Sequence, residues 1–434
     1  MGRIATKVKF QTVGCRLNQY ETEKMAADLA PFGLVRIDGD EPADLYIINT
    51  CTVTHRADKD CRHLARKARK DNPQAKVVLV GCYVETDPES IAGANEVDAI
   101  IRNDEKGSIA ELLPLRLPDL FGIGPVASAA TPMTDFYQHN RAWIKISDGC
   151  NQECSFCLVT IVRGRLTCRP TGDIIEEVRC LVAHGYNEVV LTGVNIGYFK
   201  DGQSSPAVSN LAELCRAILD RTQLRRIRLS SIEPQTVTDQ LLGVGAQSVG
   251  RICRHWHVPL QSGSDRILKL MRRPYTREHF LERLRAIKAT VPGAVIGIDI
   301  IVGFPSETEE DFAASREVAR SGLVDYLHVF SYSNRPGTVA SELPEKIGSQ
   351  TIRRRVKELQ HISGELWADA HRRHEGLTLD VICENRQTDD GRYRAVADNY
   401  LKVRMPQATS GGRQIYRVQL TRAHADCADC EIAD

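Results

Sequence analysis

The strongest chemical signal in the sequence is a C-x3-C-x2-C run formed by Cys150, Cys154 and Cys157. Three thiolates at this spacing can ligate three irons of a cubane cluster, whereas a cluster that only transfers electrons usually has four thiolate ligands. The fourth iron would then have an open position at which a small molecule can bind and be activated. The run therefore predicts a reactive iron–sulfur site.

A zinc knuckle is the alternative interpretation of this run. Its fourth ligand would have to come from a more distant residue, for which His255, His257 and Cys168 are available. Zinc sites normally show a second paired element such as C-x2-C or H-x3-H, and the sequence near the run contains none. The spacing therefore favours the iron–sulfur interpretation.

Three further cysteines, Cys15, Cys51 and Cys82, each follow an apolar run typical of a β-strand. They are separated by 36 and 31 residues, and each interval is about the length of one strand-helix-strand unit. Ligands collect at the carboxyl ends of the strands in parallel α/β sheets, so we expect these thiols to converge on a second metal site. The alternative is three small buried core residues, but a core cysteine has no reason to follow its strand.

The elements that position the first cysteines form a predicted α/β domain over residues 1–112. The predicted strands are 7–14, 45–50 and 76–81, and the predicted helices are 18–30 and 54–70. Residues 113–134 contain four prolines and no clear period, which predicts a linker.

Residues 135–368 alternate between strand-like and amphipathic helical segments. The predicted strands are 143–147, 188–193, 226–230, 257–260, 295–303 and 326–330. The clearest helices are 173–184, 211–221, 277–290 and 309–321. Six β/α units are fewer than the eight of a full barrel, so we predict a partial barrel. Residues 369–434 show short alternating segments that predict a small β-rich, OB-like barrel.

Composition limits the functional classes further. The 434 residues predict two to four domains, and 14 cysteines without a secretory signal favour metal binding in a reducing compartment. No long apolar segment is present, so we expect a cytoplasmic protein rather than a membrane protein. The net charge of +1 shows no general attraction to nucleic acid, so basic surfaces must be local.

The cysteine motifs resemble those of a known family. The C-x3-C-x2-C run, with Phe156 before its last cysteine, resembles the radical SAM superfamily. The segments TVGCRLNQYETE, INTCTVT and LVGCYV resemble the methylthiotransferases within it, and the first two are most similar to the MtaB-type subgroup. That subgroup converts N6-threonylcarbamoyladenosine at position 37 of tRNA to its 2-methylthio derivative. The last sixty or so residues are similar to a TRAM domain.

The resemblance implies two [4Fe-4S] clusters and S-adenosylmethionine (SAM) as cofactors. One cluster would be held by Cys150, Cys154 and Cys157 and would bind SAM, and Cys15, Cys51 and Cys82 would hold the other. Further SAM contacts are implied at Phe156, on the adenine, and at Thr192, Gly193, Glu233 and Gln261.

Substrate contacts are predicted at two places. Arg163 and Arg165 could bind a phosphate or the carboxylate of a threonylcarbamoyl group. In the β-rich module, Tyr393, Arg394, Tyr400 and Lys402 interleave aromatic rings with cations, a pattern that suits a single-stranded RNA loop. The sequence assigns no role to Cys168, or to His424, Cys427 and Cys430 in an H-x2-C-x2-C tail.

The implied reaction needs radical chemistry because the hydrogen on carbon 2 of adenine is not acidic enough for a general base. The expected partners are the tRNA anticodon loop and an electron donor protein, and the sequence identifies no sulfur donor. Two alternatives stay open. The first is a methylthiotransferase for isopentenyladenosine or a ribosomal protein, and the second is a non-catalytic iron–sulfur protein that binds RNA.

Overall fold

A computed structural model describes residues 6–121, 132–201, 208–406 and 412–433. These residues form two compact units. The first unit comprises Met1–Asp135, Asp148–Gln152 and Cys157–Leu166, and the second comprises Phe136–Ser147, Glu153–Phe156 and Thr167–Asp434. Among the described residues, no helix is both long enough and apolar enough to span a bilayer.

The first unit is built on a five-stranded sheet in which every strand pair is parallel. Its strands are β1 (Lys7–Thr12), β2 (Val35–Arg36), β3 (Leu45–Thr50), β4 (Lys76–Gly81) and β5 (Ala99–Ile101), in the spatial order β2-β1-β3-β4-β5. Strands β1, β3 and β4 are neighbours, so Cys15, Cys51 and Cys82 all follow the carboxyl ends of adjacent strands. The predicted arrangement of these three cysteines along the sheet is confirmed.

The helices of the first unit are α1 (Arg16–Leu29), α2 (His55–Asp71), α3 (Pro88–Ala92), α4 (Ile109–Arg116), α5 (Pro118–Phe121) and α6 (Val159–Val162). Helix α2 begins after Thr54, whose hydroxyl accepts the amide N–H of Ala57 and so caps the helix. Its alanines and Cys61 form the buried face that packs on the sheet.

The predicted linker at 113–134 begins inside α4 rather than after the domain. Leu113 and Leu117 are buried in the same core as strands β3 and β4, which favours the helix despite Pro114 within it. The proline count alone was therefore a poor guide to the end of the domain. Residues 122–131 of that segment lie outside the described residues.

The second unit contains six parallel strands in two groups of three. One sheet has the order β10-β9-β6 and the other has the order β11-β12-β13. An isolated parallel bridge between Ser231 and His257, and another between Ile227 and Ile252, continue the series from β10 towards β11. The six-unit partial barrel predicted from the sequence is thus confirmed. The strands before the C-terminal module are β6 (Ala142–Lys145), β7 (Ser147–Asp148), β8 (Thr167–Cys168), β9 (Glu188–Thr192), β10 (Arg226–Leu229), β11 (His255–His257), β12 (Val295–Val302) and β13 (Tyr326–Ser331).

Amphipathic helices follow most of these strands and cover them. They are α7 (Thr171–Ala183), α8 (Leu211–Arg221), α9 (Asp239–Gln247), α10 (Asp265–Leu270), α11 (Arg277–Thr290), α12 (Glu309–Ala319) and α13 (Ser349–Arg373). Side-chain oxygens cap five of them, and α12 starts with a reciprocal capping box between Thr308 and Asp311.

The C-terminal module is a closed barrel of five strands in the order β14-β15-β16-β18-β17. They are β14 (Thr378–Gln387), β15 (Tyr393–Ala397), β16 (Lys402–Met405), β17 (Ile415–Ala423) and β18 (Ala428–Ile432). Strand β18 was not predicted, because the tail was read only for its His and Cys spacing. Cys430 lies inside the barrel core and its thiol donates to the carbonyl of Arg404.

A buried ion cluster within the second unit joins strands β9 and β10 to the closed barrel. Glu188 is fully buried, and its two carboxylate oxygens accept from Arg226 Nε at 2.5 Å and Arg228 Nε at 2.8 Å. Arg228 then donates to the backbone carbonyls of Ala397 and Asp398 at 2.9 and 3.1 Å. Burying these charges is tolerable only because each has partners.

Candidate active site

Cys15, Cys51 and Cys82 lie close enough together for the charges of Cys15 and Cys82 to influence Cys51. Burial is the main cause that raises the pKa of the Cys51 thiol, to about 11, and the other two cysteines raise it further. A metal must displace these protons because thiolates, rather than thiols, are the ligands. The three cysteines can therefore act as one ligand set.

Glycines set the backbone just before two of these cysteines. Gly14 has φ of +105°, and a Cβ built there would lie 2.6 Å from Cys51 Cβ and 2.8 Å from Cys51 Sγ. Gly81 has φ of +95°, and a Cβ there would lie 2.7 Å from Lys106 Nζ. Both the left-handed turn and the close approach require glycine. The Gly-Cys dipeptides are thus part of the geometry of the site.

Arg163 forms the centre of a buried polar network beside Cys82. Its Nε donates to Cys82 Sγ at 3.1 Å, and its other nitrogens donate to Asn18 Oδ1 at 2.6 Å, Glu21 Oε1 at 2.9 Å and Asp148 Oδ1 at 3.0 Å. Burial alone would lower the pKa of Arg163, but the Glu21 carboxylate raises it, so the guanidinium stays charged. We had predicted that Arg163 binds a phosphate or carboxylate of the substrate. Its donors are directed at protein groups, and its contact with the substrate stays a prediction.

Two more residues support the same cysteine. Asn103 lies with Nδ2 3.6 Å from Cys82 Sγ and donates to the carbonyl of Val162 at 2.6 Å. Leu158 and Val162 pack with Cys82 in a small buried cluster. The segment that follows Cys157 is therefore tied to the sulfur of Cys82 by both polar and apolar contacts.

The residues from Cys150 to Cys157 form a loop without helix or strand. The backbone N–H of Gln152 donates to Cys150 Sγ at 3.3 Å, and that of Val159 donates to Cys157 Sγ at 3.5 Å. Gly149 precedes the loop with φ of +66°, and a Cβ there would lie only 2.2 Å from the carbonyl oxygen of Arg165. The loop is thus shaped by its own backbone. Arg165 itself is exposed, and its predicted substrate contact stays a prediction.

Cys154 has an arginine partner of its own in the second unit. Arg273 Nη1 donates to Cys154 Sγ at 3.0 Å, Arg273 Nε donates to the Tyr275 hydroxyl at 3.0 Å, and Nη2 pairs with the carboxylate of Glu233. Only 2% of the Arg273 side chain is exposed. Sequence reasoning missed Arg273 because an arginine within MRRPYT carries no spacing signal. Glu233, a predicted SAM contact, is thus linked to Cys154 through the single side chain of Arg273.

The other predicted SAM contacts lie at strand ends or beside the cluster loop of the second unit. Thr192 is the buried last residue of β9, and Gly193 leaves no room for a Cβ, which would meet Ser147 Oγ at 2.4 Å. Phe156 packs against a buried apolar cluster that includes Met271 and Phe304. Gln261 has φ of +71° and donates its backbone N–H to the carbonyl of Asp299 at 2.8 Å. Their roles toward SAM stay predictions.

The predicted RNA contacts in the C-terminal barrel divide into two groups. Tyr400 stacks on His255 with ring centroids 4.2 Å apart, and Lys402 Nζ lies 4.6 Å from the Tyr400 ring. Burial lowers the pKa of Lys402. These two residues take part in packing against the partial barrel, whereas Arg394 is exposed and Tyr393 packs on the barrel core. Arg394 is therefore the one of the four that is best placed to meet an outside ligand.

The unassigned cysteines have ordinary structural surroundings. Cys168 accepts the backbone N–H of Lys200 at 3.4 Å, and burial raises the pKa of its thiol. His424 pairs with Asp429 at 2.9 Å, while Cys430 points into the barrel. The H-x2-C-x2-C tail therefore forms strand pairing rather than a shared ligand set. Cys61, which sequence reasoning passed over, is buried and donates to the carbonyl of Cys51 at 3.6 Å, so its thiol supports the backbone of that cysteine.

The donor sets fit iron–sulfur clusters. Most of the six sulfurs have an N–H donor. The donors are Val53 N–H for Cys51, Arg163 for Cys82, backbone amides for Cys150 and Cys157, and Arg273 for Cys154. Hydrogen bonds to the cysteine sulfurs stabilise the thiolate form and help to set the reduction potential of a bound cluster.

Two family descriptions match separate parts of the chain. Residues 7–102 match the uncharacterized protein family UPF0004, and residues 144–319 match the radical SAM superfamily. The first match contains Cys15, Cys51 and Cys82, and the second contains Cys150, Cys154 and Cys157. Each cysteine triad thus lies in its own matched region.

Curated relatives extend over nearly the whole chain. The threonylcarbamoyladenosine tRNA methylthiotransferase MtaB of Bacillus subtilis (strain 168) is 34% identical, over 96% of this chain and 94% of the relative. MtaB of Aquifex aeolicus (strain VF5) is 33% identical, over 92% of this chain and 96% of the relative. A tRNA-2-methylthio-N(6)-dimethylallyladenosine synthase of Mycobacterium bovis (strain ATCC BAA-935 / AF2122/97) is 34% identical, over 95% of this chain and 81% of the relative.

Solved structures share the fold. The radical S-adenosylmethionine methyltransferase TsrM of Kitasatospora setae, with cobalamin and a [4Fe-4S] cluster bound, aligns with a TM-score of 0.54 at 15% identity, over 78% of this chain and 77% of TsrM. Radical SAM chemistry uses SAM and a [4Fe-4S] cluster, and the cysteine loop, the six-strand partial barrel and the full-length relatives agree with it. On this evidence the chain belongs to the radical SAM methylthiotransferase family and is an enzyme.

Proposed function

We propose that the protein converts N6-threonylcarbamoyladenosine at position 37 of tRNA to its 2-methylthio derivative. The observation that carries the proposal is the presence of both cysteine triads in one chain that matches MtaB relatives from end to end. The chain spans 93–96% of the MtaB relatives but 76–81% of several dimethylallyladenosine synthases.

Radical chemistry is needed because no general base can remove the hydrogen from carbon 2 of adenine near neutral pH. When bound, the two [4Fe-4S] clusters and SAM would supply the electron transfer, the hydrogen removal and the methyl group, and the source of the sulfur is a separate question. The reductive step consumes an electron, so an electron donor protein completes the system. A tRNA substrate places the enzyme in the cytoplasm.

The chain's own residues hold and tune these groups. Arg273 lies between Cys154 and Glu233, so it can hold the cysteine and orient the Glu233 carboxylate. Arg163 does the same between Cys82 and Glu21 for the N-terminal triad. Each arginine side chain is nearly fully buried, which restricts its movement relative to its sulfur partner. Both are positioning residues.

The experiment that tests the proposal compares two substrates. Anaerobically reconstituted protein is supplied with SAM, a reductant and tRNA carrying either threonylcarbamoyladenosine or dimethylallyladenosine, and the nucleosides are measured by mass spectrometry. We expect the 2-methylthio product from the first substrate. Product only from the second would reassign the substrate, and no product from either with both clusters intact would refute the proposed reaction.

Cysteine variants with a matched control test which thiols the reaction needs. Cys15→Ala and Cys150→Ala should each abolish the methylthio product, because each removes one ligand of a triad. Cys180→Ala is the control, since Cys180 lies on the outer part of α7 and is only partly buried. It should keep the activity of the wild type.

A further inference from the structure

Three side chains on neighbouring strands of the partial barrel form a ligand set outside both cysteine triads. His257 Nε2 lies 2.9 Å from Asp299 Oδ1, and His328 Nδ1 lies 3.2 Å from the same oxygen. These three residues are the group of three or more His, Cys, Asp or Glu side chains, within the described part of the chain, whose ligand atoms all lie within 4.8 Å of one another.

The sheet register places the three side chains on one face. In the parallel pairing, His257 is opposite Gly297 and Asp299 is opposite His328. Asp299 follows Gly297 by two residues, so the two positions lie on the same face of the sheet. Because Gly297 is paired with His257, Asp299 and His257 share that face. The sheet therefore presents two imidazoles and one carboxylate together without any loop movement.

The buried nitrogen of His257 has the surroundings of a metal ligand. It lies 2.9 Å from Asp299, yet it forms no hydrogen bond of acceptable angle there. The other ring nitrogen is held by Ser231 Oγ at 2.5 Å. A metal-bound histidine usually has its other ring nitrogen held by an outer hydrogen bond, and Ser231 occupies that place beside His257.

The ligand atoms are close to the spacing of a coordination sphere. Zinc–nitrogen and zinc–oxygen bonds of about 2.0–2.2 Å give tetrahedral ligand–ligand separations of about 3.3–3.6 Å. The two measured separations of 2.9 and 3.2 Å are slightly shorter. An ion would therefore be admitted by a movement of a few tenths of an ångström in these side chains.

An ion could reach the site from solvent. Exposure rises from 11% for the His257 side chain to 18% for Asp299 and 49% for His328. His328 also lines an open surface groove of about 500 Å³ with Phe330 and Gln360. One side of the ligand set is thus closed by protein, and the other is open to an additional oxygen ligand.

We propose that His257, Asp299 and His328 bind one divalent cation of the zinc type and leave at least one coordination position open. Two imidazoles and one carboxylate are a known ligand set for zinc sites that accept a water molecule or another oxygen ligand. The proposed site is mononuclear, and none of its three ligands belongs to a cysteine triad. In the sequence, His257 precedes the predicted SAM contact Gln261 by four residues, and Ser231, which holds His257, precedes the predicted SAM contact Glu233 by two.

The test measures zinc binding to the cluster-loaded protein. Wild type, Asp299→Asn and His328→Gln are reconstituted anaerobically, their iron and sulfide contents are matched, and they are dialysed against radioactive zinc. We expect one zinc per wild-type chain and at least tenfold weaker binding in both variants. Ser231→Ala should weaken binding by about tenfold, since it removes only the outer hydrogen bond.

His361→Gln is the matched control, because His361 is an exposed histidine on α13 that pairs with Glu365. It should bind zinc like the wild type. His328 is half exposed, so His328→Gln should fold even if Asp299→Asn does not. X-ray absorption of the bound zinc should show nitrogen and oxygen neighbours at about 2.0–2.2 Å rather than sulfur at about 2.3 Å. Equal binding in wild type and His328→Gln, no zinc retained by wild type, or a sulfur shell would each overturn the proposal.

Discussion

The guanidinium of Arg163 lies 3.1 Å from the sulfur of Cys82, although Arg163 belongs to the segment that follows Cys157. The same guanidinium is neutralised by Glu21 and Asp148, so a charged donor is held against a cluster ligand without solvent. Arg273 and Cys154 repeat the arrangement at 3.0 Å, with Glu233 as counter-ion. Each triad thus has one cysteine that accepts a hydrogen bond from a buried arginine.

Replacing Arg163 should reduce the formation of methylthio product more than the release of 5′-deoxyadenosine. Arg163→Met removes the donor to Cys82 and the cation beside Asp148, and it leaves Glu21 with Lys106 as its remaining cation, which costs about 3–5 kcal/mol of stability. We expect methylthio product to fall by about 10- to 100-fold and the reduction potential of the N-terminal cluster to shift. The release of 5′-deoxyadenosine from SAM should stay within about twofold. Redox titration followed by electron paramagnetic resonance measures the potential, and an unchanged potential would contradict the role.

Replacing Arg273 should affect the SAM cluster instead. Arg273→Gln and Glu233→Gln should each lower 5′-deoxyadenosine release by about 10- to 100-fold, because both remove part of the contact chain to Cys154. Arg272→Gln is the control, since its neighbouring side chain is exposed. Full release by Arg273→Gln with normal iron content would show that the contact is only structural.

The glycine before Cys15 should be needed for the N-terminal cluster. Gly14→Ala combines a left-handed backbone, which costs about 1–2 kcal/mol, with an overlap against Cys51. We expect the iron content to fall from about eight to about four atoms per chain, as one cubane is lost. Gly33→Ala is matched for backbone strain, with φ of +71°, but its Cβ would enter open space. Gly33→Ala should therefore keep both clusters.

The buried Glu188 should give the second unit a pH-dependent stability. Burial alone would raise its pKa, but Arg226 and Arg228 hold the pKa far below the usual value. A depressed folded-state pKa contributes stability above the unfolded pKa of about 4.3, and that contribution is lost as the pH falls further. Glu188→Gln should cost about 3–5 kcal/mol at neutral pH, and the difference from wild type should narrow below about pH 4. Denaturant unfolding at several pH values measures it, with exposed Glu176→Gln as the control.

The exposed side chain of Arg394 in the closed barrel should contribute to tRNA affinity. Arg394→Ala should weaken binding of tRNA and reduce the slope of log affinity against log salt by about one, as expected for one lost phosphate contact. Arg216→Ala removes a comparable exposed cation from α8 and is the control. Identical salt slopes for Arg394→Ala and wild type would remove Arg394 from the RNA contacts.

The sequence predicted the parts of the structure that depend on short-range pattern. Cys15, Cys51 and Cys82 follow neighbouring parallel strands, as the strand-cysteine recurrence indicated, and the six β/α units are present. Strand β18 was missed because Cys430 looked like a ligand rather than a core residue. The start of the linker was misplaced because the burial of Leu113 and Leu117 outweighed the signal from the prolines.

The residues that tune the site could not be predicted in the same way. The polar partners of Arg163 could not be predicted, because an arginine near a cysteine motif looks the same in the sequence whether it contacts an anion or a sulfur. Arg273 and the set of His257, Asp299 and His328 are assembled only by strand register, which brings together positions that are tens of residues apart. Spacing along the chain contains no information of that kind.

The Gly-Cys turns that follow β1 and β4 restrict which sequences this site tolerates. A Cβ at Gly14 would overlap Cys51, and a Cβ at Gly81 would overlap Lys106, which pairs with Glu21 at 2.6 Å. Each glycine is therefore required by a residue of another segment as well as by its own turn. A change in one of these loops would need a compensating change in another, so the loops should vary together among related sequences.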